Sequence, residues 1–184
     1  MHIIWRTAMS MDGRIASDAE SLDFLDLIAG QEETVADFPA FIASVDAIIV
    51  GAGTLRWLLR GGHGWPHGDR RTWLVSHDDE LVRQVGPTAE PFHRHDGDAA
   101  ELVRTMANAG CERVWLSGGG DLAGQLLAID ALDEIELTVA PVALGAGPGL
   151  FGTDPLPLRA FDLADVRRLT SNTALLRYVR KTAD

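Results

Sequence analysis

At 184 residues, with 46% apolar and 23% charged residues and a single cysteine, the chain has enough material for one sizeable core but no disulfide framework and no cysteine-rich metal cage. Sixteen basic against 27 acidic residues give a formal net charge of −11, which argues against nucleic-acid and anionic-membrane partners, because both need a basic face. No run reaches the ~18–20 apolar residues of a membrane span, and Met1 to Arg6 lacks the charged head and long apolar stretch of a signal peptide. The expectation is a cytoplasmic protein with one domain over 1–184 and Cys111 as a reduced, partly buried thiol.

Ile3 to Ala8 reads as a first strand, stopped by the turn-forming cluster Ser10-Met11-Asp12-Gly13. The spacing of Leu22, Leu25 and Leu27, and then of Phe38, Phe41 and Ile42, predicts helices over 20–29 and 34–45. Asp46 to Val50 has the pattern of a buried parallel strand and stops at Gly51, with a short helix following and Thr54 at or near its N-cap. The Gly-, His- and Pro-rich stretch 60–71 reads as a loop, and Thr72 to Val75 as a strand ending at Ser76. His93 and His95 alternate on a further strand and read as surface residues. A helix is predicted over Asp98 to Ala109, ended by Gly110 at a C-cap position. Arg113 to Leu116 is another buried strand, followed by Gly118-Gly119-Gly120 and a helix to Ala128. Ile135 to Ala140 reads as a strand, and Val166 to Leu169 and Ala174 to Val179 flank a hairpin turn at Ser171-Asn172. Strands alternating with helices, then a terminal hairpin, predict an α/β fold: a mostly parallel central sheet with an antiparallel C-terminal hairpin at its edge.

Two segments carry chemical signals. Val50-Gly51-Ala52-Gly53-Thr54 and Ser117-Gly118-Gly119-Gly120-Asp121 each take an apolar strand through glycines into a helix. Such turns let backbone approach a ligand closely, and free N–H groups at a helix start bind phosphate. Each alone is also compatible with a plain packing turn, with Asp121 favouring its helix N-terminus. Together, at the carboxyl ends of neighbouring strands, they mark the place where ligands sit in open α/β sheets. Neither has the GxGxxG spacing of the Rossmann fingerprint. His63 and His67 would need a helix to share a metal, and Gly62, Gly64 and Pro66 oppose one, so no metal site is expected. Cys111 has no base partner in sequence, and Asp133-Glu134 reads as structural.

The order of these segments resembles the reductase domain of the bifunctional riboflavin-biosynthesis deaminase–reductases. Ser10-Met11-Asp12-Gly13-Arg14-Ile15-Ala16 is similar to that family's opening, and Asp46-Ala47-Ile48-Ile49-Val50-Gly51-Ala52-Gly53-Thr54 to its glycine–threonine segment. Gly118 to Leu127 looks like its glycine turn, Asp133-Glu134-Ile135 like its Asp-Glu-Ile, and Ala140-Pro141-Val142-Ala143-Leu144-Gly145-Ala146-Gly147 like its Ala-Pro-x-x-Leu-Gly-x-Gly. The resemblance implies a dihydrofolate-reductase-like three-layer fold, NADPH, and hydride transfer to a small-molecule pyrimidine or pteridine. The zinc-deaminase H-x-E…C-x-x-C pattern does not occur in these 184 residues, so the resemblance is to the reductase domain alone.

By that resemblance Gly51, Gly53, Thr54, Ser76, Gly118, Gly119, Gly120, Asp121 and Leu122 would hold the cofactor. Dihydrofolate reductases often carry Arg after the first glycine to pair with the 2′-phosphate, and this chain has Ala52. One of Arg56, Arg60, Arg70 and Arg71 must then supply the clamp, with Arg70 and Arg71 preferred because they precede the strand ending at Ser76. The chain also departs from the family at Leu55 to Leu59, where the reductases have Asp-Asp-Pro, and at Ser117, where they often have Glu. Asp12 is the candidate catalytic and substrate-facing carboxylate, or else a turn residue before Gly13. Arg14 is a candidate for a substrate phosphate, or else a surface charge. Relatives of this type are commonly homodimers, and the terminal hairpin could supply the interface. A flavin or deazaflavin partner, or a non-catalytic nucleotide sensor, would fit the same fold.

Overall fold

The computed structural model describes residues 1–18, 21–28, 32–62, 64–68, 70–85, 92–152, 155–170 and 172–181. His63, and Ser171 of the expected hairpin turn, lie outside the described residues. In chain order the elements are β1 (His2–Ser10), a 3-10 helix (Asp23–Leu27), α1 (Glu32–Ser44), β2 (Ala47–Gly51), α2 (Ala52–Arg60), β3 (Arg71–Val75), α3 (Asp79–Gln84) and β4 (Phe92–His95). Then come α4 (Ala99–Asn108), β5 (Arg113–Gly118), α5 (Gly120–Ala128), β6 (Glu134–Ala140), β7 (Phe161–Arg168) and β8 (Ala174–Arg180). The strands form one eight-stranded sheet in the order β4-β3-β2-β5-β1-β6-β8-β7. It is parallel from β4 to β6 and antiparallel across β6-β8-β7. This is the α/β arrangement with a hairpin edge that the alternation predicted.

Strand residues alternate between two apolar layers. Ile3, Trp5, Ile49, Val114 and Leu116 face α4 and α5, meeting Leu102, Met106, Leu122 and Leu126. Ile4, Ile48, Val50, Leu74 and Trp115 face the opposite side, against Phe41 of α1, Leu55 of α2 and Leu81 of α3. The middles of the central strands, Ile3 to Trp5, Ala47 to Val50 and Val114 to Leu116, are therefore apolar without alternation, as a parallel strand covered on both faces must be. Each fully buried Leu or Ile contributes roughly 1.5–3 kcal/mol by leaving water. Asp98 caps α4 by accepting the Glu101 N–H at 2.7 Å, and Gly110 ends it with φ +75°.

Three details differ from the expected elements. Of the segment predicted as a helix over 20–29, the described residues 21–28 hold a five-residue 3-10 helix: Leu22 and Leu25 pack against the small cluster of Phe24, Ile28 and Ala140, but Leu27 is exposed. α2 begins at Ala52 with Gly51 as its N-cap, so Thr54 is its third residue rather than its cap. His95 is buried rather than on the surface, with Nε2 on the Asp98 carbonyl at 3.0 Å.

β1 and β5 pair only from His2↔Arg113 to Trp5↔Leu116. Beyond that point β1 continues along β6 to Ser10↔Ala140, whereas β5 continues along β2 to Val50↔Gly118 through a register shift. The sheet thus opens between β1 and β5 at their carboxyl ends. That opening is the structural origin of the cleft described next.

Candidate active site

A cavity of about 400 Å³ occupies the opening. Its sides are Arg6, Thr7 and Ala8 of β1, Gly53, Thr54 and Trp57 of α2, and Ser117 to Asp121 at the β5–α5 turn. Ile15, Ala16, Leu22 and Leu25 close one wall and Pro148 and Gly152 another. A second cavity of about 470 Å³ lies at the carboxyl end of β3, bordered by Ala52, Arg56, Ser76, His77, Asp78 and Asp96. Consecutive residues of α2 line the two cavities, and so do Asp121 and Gln125, one turn apart on α5.

The two glycine turns touch between them. A Cβ on Gly51 would lie 3.2 Å from the Gly118 carbonyl, and one on Gly118 would lie 2.6 Å from the Thr54 hydroxyl. Gly120 is required by contact as well, since its Cβ would stand 2.8 Å from the Leu150 carbonyl. Gly119 is required by backbone, at φ +108° and ψ 112°, a conformation that L side chains rarely adopt. Gly53 is different: a Cβ there meets nothing within 4 Å. The helices α2 and α5 both start at this junction, so the N–H groups of their first turns, which have no intrahelical partner, gather there.

The remaining loops wall the first cavity. Asp12 accepts the Ser10 hydroxyl at 2.6 Å and the Leu144 N–H at 3.0 Å on one oxygen, and the Gly145 N–H at 2.8 Å on the other. The Ser10 hydroxyl, then the two backbone donors, hold its carboxyl at about 2. Arg14 donates to the Gly147 carbonyl at 2.9 Å and forms a bridge with Gly149. Both residues therefore tie the loop after β1 to the loop after β6. Below the cavity Arg6 is ion-paired with Asp37, lies 3.3 Å from Glu136, and stands 4.7 Å over the Phe41 ring. Burial raises the Glu136 carboxyl above its ordinary range.

Residues 1–175 match the model of the RibD C-terminal domain. The chain belongs to the RibD C-terminal domain family. It is 30% identical over 149 residues to the uncharacterized protein YwjB of Bacillus subtilis, covering 78% of this chain and 79% of that one. It is also 30% identical over 155 residues to the riboflavin biosynthesis protein RibD of Mycobacterium tuberculosis, covering 80% of this chain but only 44% of that relative's length. A solved structure from Shewanella sp. PV-4, described as a riboflavin biosynthesis protein, superposes with a TM-score of 0.86 at 25% identity over 99% of this chain and 100% of that one. The architecture is the dihydrofolate-reductase-like one that the resemblance implied.

Set in this RibD-type domain, the sequence candidates divide. Gly51, Gly53, Thr54, Gly118, Gly119, Gly120 and Asp121 converge on the junction of the two cavities, and Ser76 lines the second. Leu122 does not join them through its side chain, which is buried in the core against α4 and the sheet. Arg71 is also misplaced: it starts β3 at the opposite end of the strand from Ser76, where it donates to the Ala109 carbonyl at 2.7 Å and pairs with Asp46 at 3.2 Å. Arg70 precedes it in the chain, so position in the sequence before the strand meant distance from the strand's carboxyl end. Arg56 and Arg60 are the arginines of that group that reach the cavities. Asp12 and Arg14 are absent from the residues lining the first cavity and act on its loops. His67 lies in an aromatic cluster with Trp65, Trp115 and Phe38, where burial lowers its imidazole to about 4.

Arg6, His77 and Asp78 were not singled out by the sequence. Only Asp78 carried a legible signal, an Asp followed by acidic residues and an apolar turn, which is a helix start. No helix among the described residues is long and apolar enough to cross a membrane.

Proposed function

We propose that this chain is a reductase that transfers a hydride from NADPH to a small pyrimidine or pteridine, in the manner of the 5-amino-6-(5-phosphoribosylamino)uracil reductases. The observation that carries this reading is the pair of cavities meeting at two touching glycine turns and two helix N-termini. A dinucleotide has two ring systems joined by a pyrophosphate, and the site offers two ring-sized spaces joined by backbone donors. The fit is tested by Gly53, whose missing side chain leaves the cleft open rather than relieving a contact inside the protein.

NADPH supplies the hydride when bound. Gly118 to Gly120 and Gly53 let it approach, and Thr54 and the first turns of α2 and α5 meet its phosphates. The apolar wall of Ile15, Leu22 and Leu25 excludes water from the reacting face, and Arg6, Thr7 and Trp57 orient the acceptor. Asp12, held near 2 and set back from the cavity lining, is a poor proton donor at neutral pH and does not supply the accompanying proton.

The test is to titrate the protein with NADPH by nucleotide fluorescence and then follow NADPH oxidation on adding pterins and aminopyrimidine ribosides. Stoichiometric binding with turnover of one acceptor is expected. Binding without turnover of any would instead favour a nucleotide sensor, and no binding would overturn the reading.

The same proposal includes a homodimer built on the hairpin. β7 is an edge strand, and the register shift between Leu163 and Asp165 brings Leu163 and Val166 to one face, opposite Tyr178 and Leu176. Leu163 is 54% and Val166 56% exposed, an apolar edge that a second copy would cover.

A further inference from the structure

The second cavity combines a small positive charge with a larger negative one. Arg56 is the only guanidinium among its described lining residues, and Asp78 and Asp96 are carboxylates beside it. Arg56 Nη2 already donates to Asp78 Oδ2 at 3.1 Å. Asp96 faces Arg94 at 2.9 Å, and Arg94 is shared with Asp79 at 2.6 Å. Asp78 has little freedom to move aside. Its Oδ1 accepts the Glu80 N–H at 3.0 Å as the N-cap of α3, and its own N–H donates to the Ser76 hydroxyl at 3.0 Å. A phosphate seated on Arg56 would therefore displace a carboxylate that stays anchored next to it. A hydroxyl in the same place could donate to Asp78 and leave the pair intact.

We infer that Asp78 is a specificity-determining residue of the dinucleotide site: by holding the Arg56 guanidinium it withholds from a ribose 2′-phosphate the charge that phosphate needs, so that the site separates NADPH from NADH only weakly. This rests on the nicotinamide-dinucleotide reading above. The hydrogen bond from Arg56 also keeps the Asp78 carboxyl below its ordinary range, so it is ionised at working pH.

The test uses three proteins: wild type, Asp78→Asn and Arg56→Gln. Asn caps a helix as well as Asp does, so Asp78→Asn removes the charge and keeps the start of α3. Dissociation constants for NADPH and NADH are measured on each by nucleotide fluorescence, with thermal melts confirming the fold. The wild-type constants should lie within about tenfold of each other. Asp78→Asn should tighten NADPH by about tenfold and leave NADH unchanged or weaker. Arg56→Gln should weaken NADPH until it matches NADH. The inference falls if Asp78→Asn leaves the ratio unchanged, or if wild type already prefers NADPH by about a hundredfold or more. If neither nucleotide binds wild type, the dinucleotide reading falls first and the inference goes with it.

Discussion

Replacing Gly53 by Val puts a side chain into the cleft with the least disturbance elsewhere. Gly53 is the second residue of α2, its Cβ would meet nothing within 4 Å, and it lines the cavity between β1 and β5. In a helix Gly is about 1 kcal/mol less favourable than Ala, and Val lies within about 0.7 kcal/mol of Ala. The exchange should therefore leave stability unchanged or slightly higher. A bound nucleotide running past this turn would overlap the new methyl groups, and overfilling a packed site costs roughly 1–3 kcal/mol. That corresponds to a loss of NADPH affinity of about ten- to a hundredfold. Gly118→Ala is the contrasting control, because its Cβ would lie 2.6 Å from the Thr54 hydroxyl; it should lower the melting temperature as well as the affinity. Fluorescence titration and a thermal melt on each variant make the comparison. A folded Gly53→Val protein that binds NADPH as wild type does would show that the nucleotide does not pass the start of α2.

Asp12→Asn should lower the melting temperature together with turnover, because the amide keeps one acceptor oxygen where the carboxylate has two and so leaves one of the loop N–H groups without its acceptor; lost turnover at an unchanged melting temperature would restore the substrate-facing role. Glu134 is nearly fully buried and pairs with Arg177 at 2.6 Å and His2 at 3.1 Å. Burial opposes its charge, yet these donors hold its carboxyl below 4.5. A depressed carboxyl stabilises the fold above its unfolded value and loses that contribution as pH falls through the folded one. Glu134→Gln should thus lower stability by about 1.5–3 kcal/mol at pH 7, with the gap to wild type closing in acid, as read from urea melts across pH; a gap independent of pH would contradict the ion pair. Val166→Arg on β7 should convert a dimer to a monomer in sedimentation while keeping nucleotide affinity, and an unchanged sedimentation coefficient would remove the hairpin from the interface.

Much of the fold was legible because parallel strands covered on both sides announce themselves. Ile48-Ile49-Val50 and Val114-Trp115-Leu116 have no polar residue to offer solvent; the first runs straight into Gly51, and the second reaches its glycines after Ser117. Helix starts were less legible. Thr54 looked like a cap because Thr is a good one, but the chain turns helical as soon as Gly51 allows it. The arginine assignment failed for a geometric reason: a residue before a strand and a residue after it are separated by the strand's length, so Arg71 and Ser76 could not serve one phosphate. Asp12 looked chemical because it follows the strand that borders the cleft. Besides the nearby Ser10 hydroxyl, the donors it serves belong to Leu144 and Gly145, far along the chain, and nothing local records those two.

The position of β1 in the sheet has a consequence for how the molecule assembles. His2 pairs with Arg113 and Ile4 with Glu134, partners more than a hundred residues further along the chain. Closing loops of that length must precede any reward from burying Ile3, Ile4 and Trp5, and parallel pairings at such separations are slow to form. Until β5 and β6 arrive, this apolar strand has neither neighbour and both of its edges are open to other chains. Refolding should therefore be limited by docking of β1, and aggregation during that wait should involve this strand before any other.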